Sequence, residues 1–162
     1  MRVEQLMTRH VETCRPEDSL HRAAEVMWKR DCGALPVVSG DGGSAQVVGM
    51  LTDRDVCMAA YMQGRPLWEL TVAGAMSERL CSCRSTDAIG VALKIMETNQ
   101  IRRLPVLDAG DRLVGMLSLA DVSHEAAREH GLRDPQVTDA ALAQALDAIA
   151  TSRRSGALVA RA

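Results

Sequence analysis

The sequence predicts an α+β protein built from two copies of one unit, each running strand, helix, strand, strand, helix. Three observations lead there. The chain repeats itself internally, its apolar residues alternate between helix-like and strand-like spacing, and aromatics make up only 2% of it, with no Phe, so the core is aliphatic. Residues 3–38 align with 72–107 at an offset of 69. The pairs Val3/Val72, Met7/Met76, Cys14/Cys83, Arg15/Arg84, Asp18/Asp87, Ala23/Ala92, Met27/Met96, Leu35/Leu104, Pro36/Pro105 and Val37/Val106 are identical. The first copy is then three residues longer and the offset falls to 66. Gly49-Met50-Leu51-Thr52-Asp53-Arg54-Asp55-Val56 now matches Gly115-Met116-Leu117-Ser118-Leu119-Ala120-Asp121-Val122. The repeats set the domains at 1–70 and 71–131, with a C-terminal helix and tail over 132–162.

Each element follows from local chemistry. A short strand at Val11–Cys14 meets Pro16 and gives way to a helix. Asp18 is the expected N-cap, and Leu20, Ala23, Ala24 and Met27 form one apolar stripe; Asp87 with Ile89, Ala92, Leu93 and Met96 repeats it. Leu35–Val38 and Gln46–Leu51 flank a Ser-Gly-Asp-Gly-Gly-Ser turn and read as a hairpin, as do Leu104–Leu107 and Arg112–Leu117. Each copy closes with a helix, about 53–63 before Gly64 and about 119–130 before Gly131, glycine being the usual stop. Beyond the repeat, Asp134-Pro135 breaks the chain. Thr138 or Asp139 caps a further helix with a Leu142, Leu146, Ile149 stripe. Marginal by itself, that helix docks on the module, on a dimer mate or on another partner. Residues 152–162 read as a frayed end.

Composition excludes several functions. The 162 residues are 47% apolar, enough for a core, yet no apolar run approaches the ~20 residues that span a bilayer. MRVEQLMTRH lacks the apolar stretch of a secretory signal, so the expected location is cytoplasmic, without membrane association. Nineteen basic residues against 21 acidic, with so few aromatics, argue against a nucleic-acid partner. The five cysteines form no CxxC pair, and His10 with Cys14 lacks further ligands; buried thiols in a reducing compartment are expected, with no metal site. The histidines at 10, 21, 124 and 130 stand alone, and no nucleophile-elbow, phosphate-loop, dinucleotide or zinc-protease motif is present, so no catalytic residue and no catalytic cofactor are expected.

Leu35-Pro36-Val37 and Leu104-Pro105-Val106, each followed by a hairpin and then by Gly49-x-x-Thr52-x-x-Asp55 or Gly115-x-x-Ser118-x-x-Asp121, resemble the tandem CBS-domain pair, or Bateman module, over about four-fifths of the chain. The resemblance implies two CBS repeats packed sheet to sheet about a pseudo-twofold axis, with clefts between them that take AMP, ATP, NAD or a similar adenosyl compound as a regulatory ligand. It also implies a homodimer of four repeats in a flat disc, and signalling to a separate partner protein. No catalysis is implied.

The residues themselves allow two readings. Thr52 with Asp55, and Ser118 with Asp121, have capping-box spacing, which alone explains them. The same helix starts offer free N–H groups to a phosphate, and the carboxylates suit ribose hydroxyls. By resemblance, the adenine slot lies between the first strand and the Leu-Pro-Val strand. That points to Thr13, Cys14, Leu35, Pro36 and Val37 in the first copy, and to Ser82, Cys83, Leu104, Pro105 and Val106 in the second. Arg54 sits at a helix start, where a cation is unfavourable unless an anion is near. Arg102 and Arg103 replace Gly33 and Ala34 of the first copy and suit phosphates, so the two sites should differ. Two rival functions remain: a ligand-free structural dimerisation module, and a thiol redox sensor using Cys81 and Cys83.

Overall fold

The computed structural model describes residues 1–40, 45–131, 133 and 135–155. The tip of the first hairpin (41–44), Asp134 of the expected Asp-Pro break and the tail from 156 lie outside the described residues. The chain divides into two compact units. One is Val11–Leu80; the other joins Met1–His10 to the chain from Cys81 onward. The first unit holds α1 (Leu20–Lys29), β1 (Ala34–Ser39), β2 (Gln46–Thr52) and α2 (Asp53–Gln63). The second holds β3 (Cys83–Arg84), α3 (Ile89–Asn99), β4 (Arg103–Leu107), β5 (Leu113–Ser118), α4 (Leu119–Glu129) and α5 (Asp139–Ser155).

The two units are built alike. β1 and β2 pair antiparallel, with Ala34 opposite Thr52 and Val37 opposite Gly49. β4 and β5 pair in the matching register, with Arg103 opposite Ser118 and Val106 opposite Gly115. The register shifts after Val37 and after Val106. β3 runs parallel to β4. Its expected counterpart at Val11–Cys14 is reduced to one parallel bridge, Cys14 to Val37. Pro16 has no N–H to continue the ladder, whereas Ser85 at the matching place donates to the Leu107 carbonyl (3.0 Å); in both units the next turn is closed alike, Asp18 N–H donating to the Arg15 carbonyl (3.1 Å) and Arg15 N–H to the Asp18 carboxylate (2.8 Å) in the first.

Helix ends follow their local chemistry, with one correction. Asp18 does not cap α1. Ser19 does, its hydroxyl accepting from Arg22 N–H at 3.2 Å. Asp87 likewise accepts from Arg84 N–H at 2.8 Å, and α3 starts behind Ala88 without a side-chain cap. The two aspartates are identical because each braces the turn before its helix. α2 ends at Gly64 in the left-handed region (φ 60°), and Gly131 (φ 84°) follows α4.

Sequence repeats and packed units do not share boundaries. The repeats begin at Val3 and Val72, but the opening segment of each belongs to the other unit. Val3 N–H donates to the Asp87 carbonyl and Val72 N–H to the Asp18 carbonyl, both at 2.9 Å. Thr8 exchanges two backbone bonds with Met116 of β5, and Ser77 exchanges two with Met50 of β2, so each segment extends the other repeat's sheet. Val3 and Val72 are both fully buried, Val3 among Met96, Leu104 and Leu117, Val72 among Leu20, Leu35 and Leu51. Val3/Val72 and Met7/Met76 are therefore identical because they fill equivalent holes.

Gly49 and Gly115 permit this approach. A Cβ on Gly49 would lie 2.7 Å from the Ser77 carbonyl oxygen; one on Gly115 would lie 2.7 Å from Met7 Sδ and 2.8 Å from the Thr8 carbonyl oxygen. Backbone cannot yield as a flexible side chain can. Gly49→Ala and Gly115→Ala should each destabilise the protein by about 1–3 kcal/mol. Gly90, inside α3 with open space around it, should gain about 0.5–1 kcal/mol as Ala. Urea unfolding of the three variants checks both signs.

Candidate functional site

The conspicuous duplicated chemistry lies where β2 passes into α2 and β5 into α4. The strand delivers a hydroxyl residue with extended backbone, and the helix begins at the next residue. In the first unit, Asp55 N–H donates to Thr52 Oγ1 (3.2 Å), while Asp55 Oδ2 accepts from Thr52 N–H (2.9 Å) and Thr52 Oγ1 (2.6 Å). In the second, Asp121 N–H donates to Ser118 Oγ (3.2 Å), and Asp121 Oδ2 accepts from Ser118 N–H (2.8 Å) and Ser118 Oγ (2.7 Å). Both are complete capping boxes. Each uses one carboxylate oxygen, Oδ2, and the other takes no part in the box. All four residues are partly buried.

Strand register brings the arginines in. Arg103 stands directly opposite Ser118, and the Arg102 carbonyl accepts from Leu119 N–H at 2.9 Å. Arg102, Arg103, Ser118, Ala120 and Ser123 line one cavity of about 390 Å³, and Leu142 and Leu146 of α5 complete its wall. The equivalent place in the first unit is a groove of about 400 Å³ between α1 and α2, lined by Gly33, Asp53, Cys57 and Trp28 among others. The two therefore differ in charge: two guanidinium groups line one, and the carboxylates of Asp31 and Asp53 line the other. Arg54 is exposed on the first turn of α2 and lines neither. Among the described residues, Arg54, Arg102 and Arg103 make no ion pair, whereas Arg84, Arg112 and Arg128 are each held by a carboxylate.

The proposed adenine residues fare differently. Cys14 N–H donates to the Pro36 carbonyl (3.1 Å) and Val38 N–H to the Cys14 carbonyl (2.9 Å), so these segments are neighbours in one sheet. Cys83 pairs with Val106 in the same way. Leu35, Pro36, Val37, Leu104, Pro105 and Val106 are buried, the four apolar Leu and Val side chains in the two cores. Thr13 and Ser82, one residue before the pairing, stay partly exposed.

None of the five cysteines is in a disulfide. Burial, and secondarily the carboxylates of Asp18 and Asp87, push the Cys14 and Cys83 thiols up to about 12. A protonated, buried Cys83 is a poor nucleophile, which weakens the redox reading of Cys81 and Cys83. Among the described residues, no cluster of three His, Cys, Asp or Glu side chains is arranged to hold a metal ion, and no helix is long and apolar enough to cross a membrane.

The thiols carry a pH dependence. In the unfolded chain a cysteine ionises near pH 8.5–9. Above that, the unfolded state sheds protons that the folded state keeps until about 12. Their stabilisation is whole below about pH 9 and is lost as pH rises toward 12, by up to ~1.4 kcal/mol per pH unit for each thiol. Between pH 8 and pH 10, urea titrations should show the parent losing up to roughly 3 kcal/mol more than Cys14→Ala/Cys83→Ala.

Comparison with known proteins agrees with this architecture. The CBS domain family matches residues 3–61 and again 72–128. The CBS domain-containing protein YhcV of Bacillus subtilis is 36% identical over 121 residues, covering 75% of this chain and 82% of that protein. A CBS-domain protein from Agrobacterium tumefaciens has a solved structure that is 30% identical with a TM-score of 0.68, covering 79% of this chain and 99% of that one. The structure of CBSX2 in complex with AMP is 23% identical with a TM-score of 0.67, covering 78% of this chain and 96% of that one, a likeness of fold. Two family matches, a duplicated hairpin-and-capping-box unit and these relatives establish that the chain belongs to the CBS-domain family, as a tandem pair.

Proposed function

We propose that this CBS pair is a non-catalytic regulatory module that binds an adenosyl nucleotide, such as AMP, ATP or NAD, and relays its presence to a partner protein. The observation that carries the reading is the duplicated helix start. In each repeat a capping box leaves one aspartate oxygen outside the box, and in the second repeat Arg102 and Arg103 line the same cavity as the capping Ser118. A carboxylate oxygen accepts from ribose hydroxyls, and guanidinium with a helix N-terminus suits phosphate. Asp55 and Asp121 take the ribose in this reading; Arg54, Arg102 and Arg103, with Thr52 and Ser118, take phosphate. Thr13 and Ser82 are the groups best placed to meet the base, because Cys14 and Cys83 are committed to the sheet. Five cysteines, none in a disulfide, fit a reducing compartment such as the cytoplasm.

Thermal melts with AMP, ATP, NAD and S-adenosylmethionine test this directly. A ligand at 100 times its Kd adds about 2.7 kcal/mol. No shift and no heat of titration at millimolar levels would refute the reading.

Asp55→Ala and Asp121→Ala separate ligand binding from capping. Loss of a capping group costs about 1 kcal/mol of stability in either reading. A lost charged acceptor costs a further ~1.5–3 kcal/mol of binding at its own site, a tenfold or greater drop in affinity there. Calorimetric titration should show each variant losing one binding event and keeping the other. Variants that melt lower yet bind like the parent would make the carboxylates caps only.

A further inference from the structure

The cavity beside Ser118 has one wall that comes from outside the repeats. α5 lies against α3 and α4, and with its approach it brings Val137, Ala145 and Ile149 into one core with Leu93, Met96 and Val122. Thr138 caps it, accepting from Ala141 N–H at 3.2 Å. Buried Glu129, at the end of α4, accepts from Val137 N–H at 2.8 Å and fixes the approach. Of the expected Leu142, Leu146, Ile149 stripe, only Ile149 is fully buried, and Ala145 joins it in the core. Leu142 is half-buried and Leu146 stays 48% exposed; both line the cavity with Arg102, Arg103 and Ser118.

α5 is held lightly. It is an alanine-rich helix of 17 residues, a kind that is marginal in water by itself, so its order comes from docking. Among the described residues, the α5 side chains buried completely are those of Ala145 and Ile149, one of them a single methyl group. Such an element has two states, docked and helical or released and unfolded, and opens at a lower cost than the core beneath it. Docked, it still leaves part of Leu142 and much of Leu146 in water, facing a space that two guanidinium groups share.

We infer that α5 is the element that responds to the ligand: a nucleotide anchored on Arg102 and Arg103 closes on Leu142 and Leu146 and fastens α5 to its unit. The inference rests on the nucleotide reading of this site. An adenosyl phosphate carries both halves of the chemistry, an anion for the guanidinium forks and a flat apolar base for the leucine surface. The contact with Leu142 and Leu146 exists only while α5 is docked, so binding and docking favour each other by one and the same factor. Release of α5 uncovers the face of α3 and α4 around Leu93 and Met96, and frees the Ala145 and Ile149 stripe. A partner that reads these apolar surfaces meets them in the ligand-free protein and loses them when ligand binds. The first unit has no covering helix among the described residues, so this response belongs to the second site alone.

Hydrogen exchange of the full-length chain with AMP, ATP and NAD, beside calorimetric titration, tests this. A nucleotide that binds should slow exchange of the α5 amides from Leu142 to Ile149 roughly tenfold, inside the ~5–150-fold range of such couplings. Leu146→Ala trims the contact but keeps Ala145 and Ile149, so α5 should stay protected without ligand and lose most of the gain. Ile149→Asp releases α5 and should lower affinity at this site by the same factor of roughly ten, sparing the other binding event. The parent and Leu146→Ala carry the test without depending on Ile149→Asp. Arg102→Ala/Arg103→Ala should remove this binding event and the α5 response together. Nucleotide bound with α5 exchange unchanged or faster, or a response that survives Arg102→Ala/Arg103→Ala, would overturn the inference and leave the nucleotide reading standing. No heat of titration with any of the three would remove the reading and the inference together.

Discussion

The exchange of opening segments governs this structure. Each unit's sheet is finished, and its core filled, by residues that precede the other repeat in sequence. Val3 and Val72 are buried completely, worth about 1.5–3 kcal/mol each by transfer alone. For units of this size such terms are a large part of net stability. The exchange also dictates sequence at a distance. A glycine is needed in β2 and β5 where the incoming backbone passes, and the paired Asp-braced turns receive the Val3 and Val72 N–H groups on their Asp87 and Asp18 carbonyls.

Much of this was legible from residue spacing. Periodicity in Leu20, Ala23 and Met27 and in Ile89, Ala92 and Met96 marks helices that the structure contains. The Thr52/Asp55 and Ser118/Asp121 spacing marks capping boxes that form in full. What sequence could not supply is partnership across long separations. Gly49 and Gly115 look like part of a local motif, yet their reason lies in Ser77 and in Met7 and Thr8. Asp18 has good capping chemistry one residue too early, and only the turn to Arg15 explains why Ser19 takes the cap. The pairing of Cys14 with Val37 is also a long-range bond.

The candidate site shows the same division between local and distant causes. The helix starts are local: a strand, a hydroxyl, and an aspartate three residues on. Their surroundings are not. Arg103 faces Ser118 through strand register, and Leu142 and Leu146 arrive on a helix outside the repeat. Two nearly identical motifs thus sit in unlike settings, one among carboxylates and an open groove, the other among guanidinium groups under a covering helix. Duplication supplies the chemistry twice, and later elements make the two copies unequal.

The exchange changes what counts as a module. The stretch from Val11 to Leu80 is continuous and holds its own hairpin, both of its helices and the segment that finishes its sheet. A cut at the repeat boundaries, 3–70, would instead remove Val72 and the Ser77 edge while keeping a leading segment with nowhere to bind. The portable unit is therefore offset from the repeated one by about ten residues. Recombination that respects the packing would break the chain near His10 and Leu80, at the points where it crosses from one core to the next.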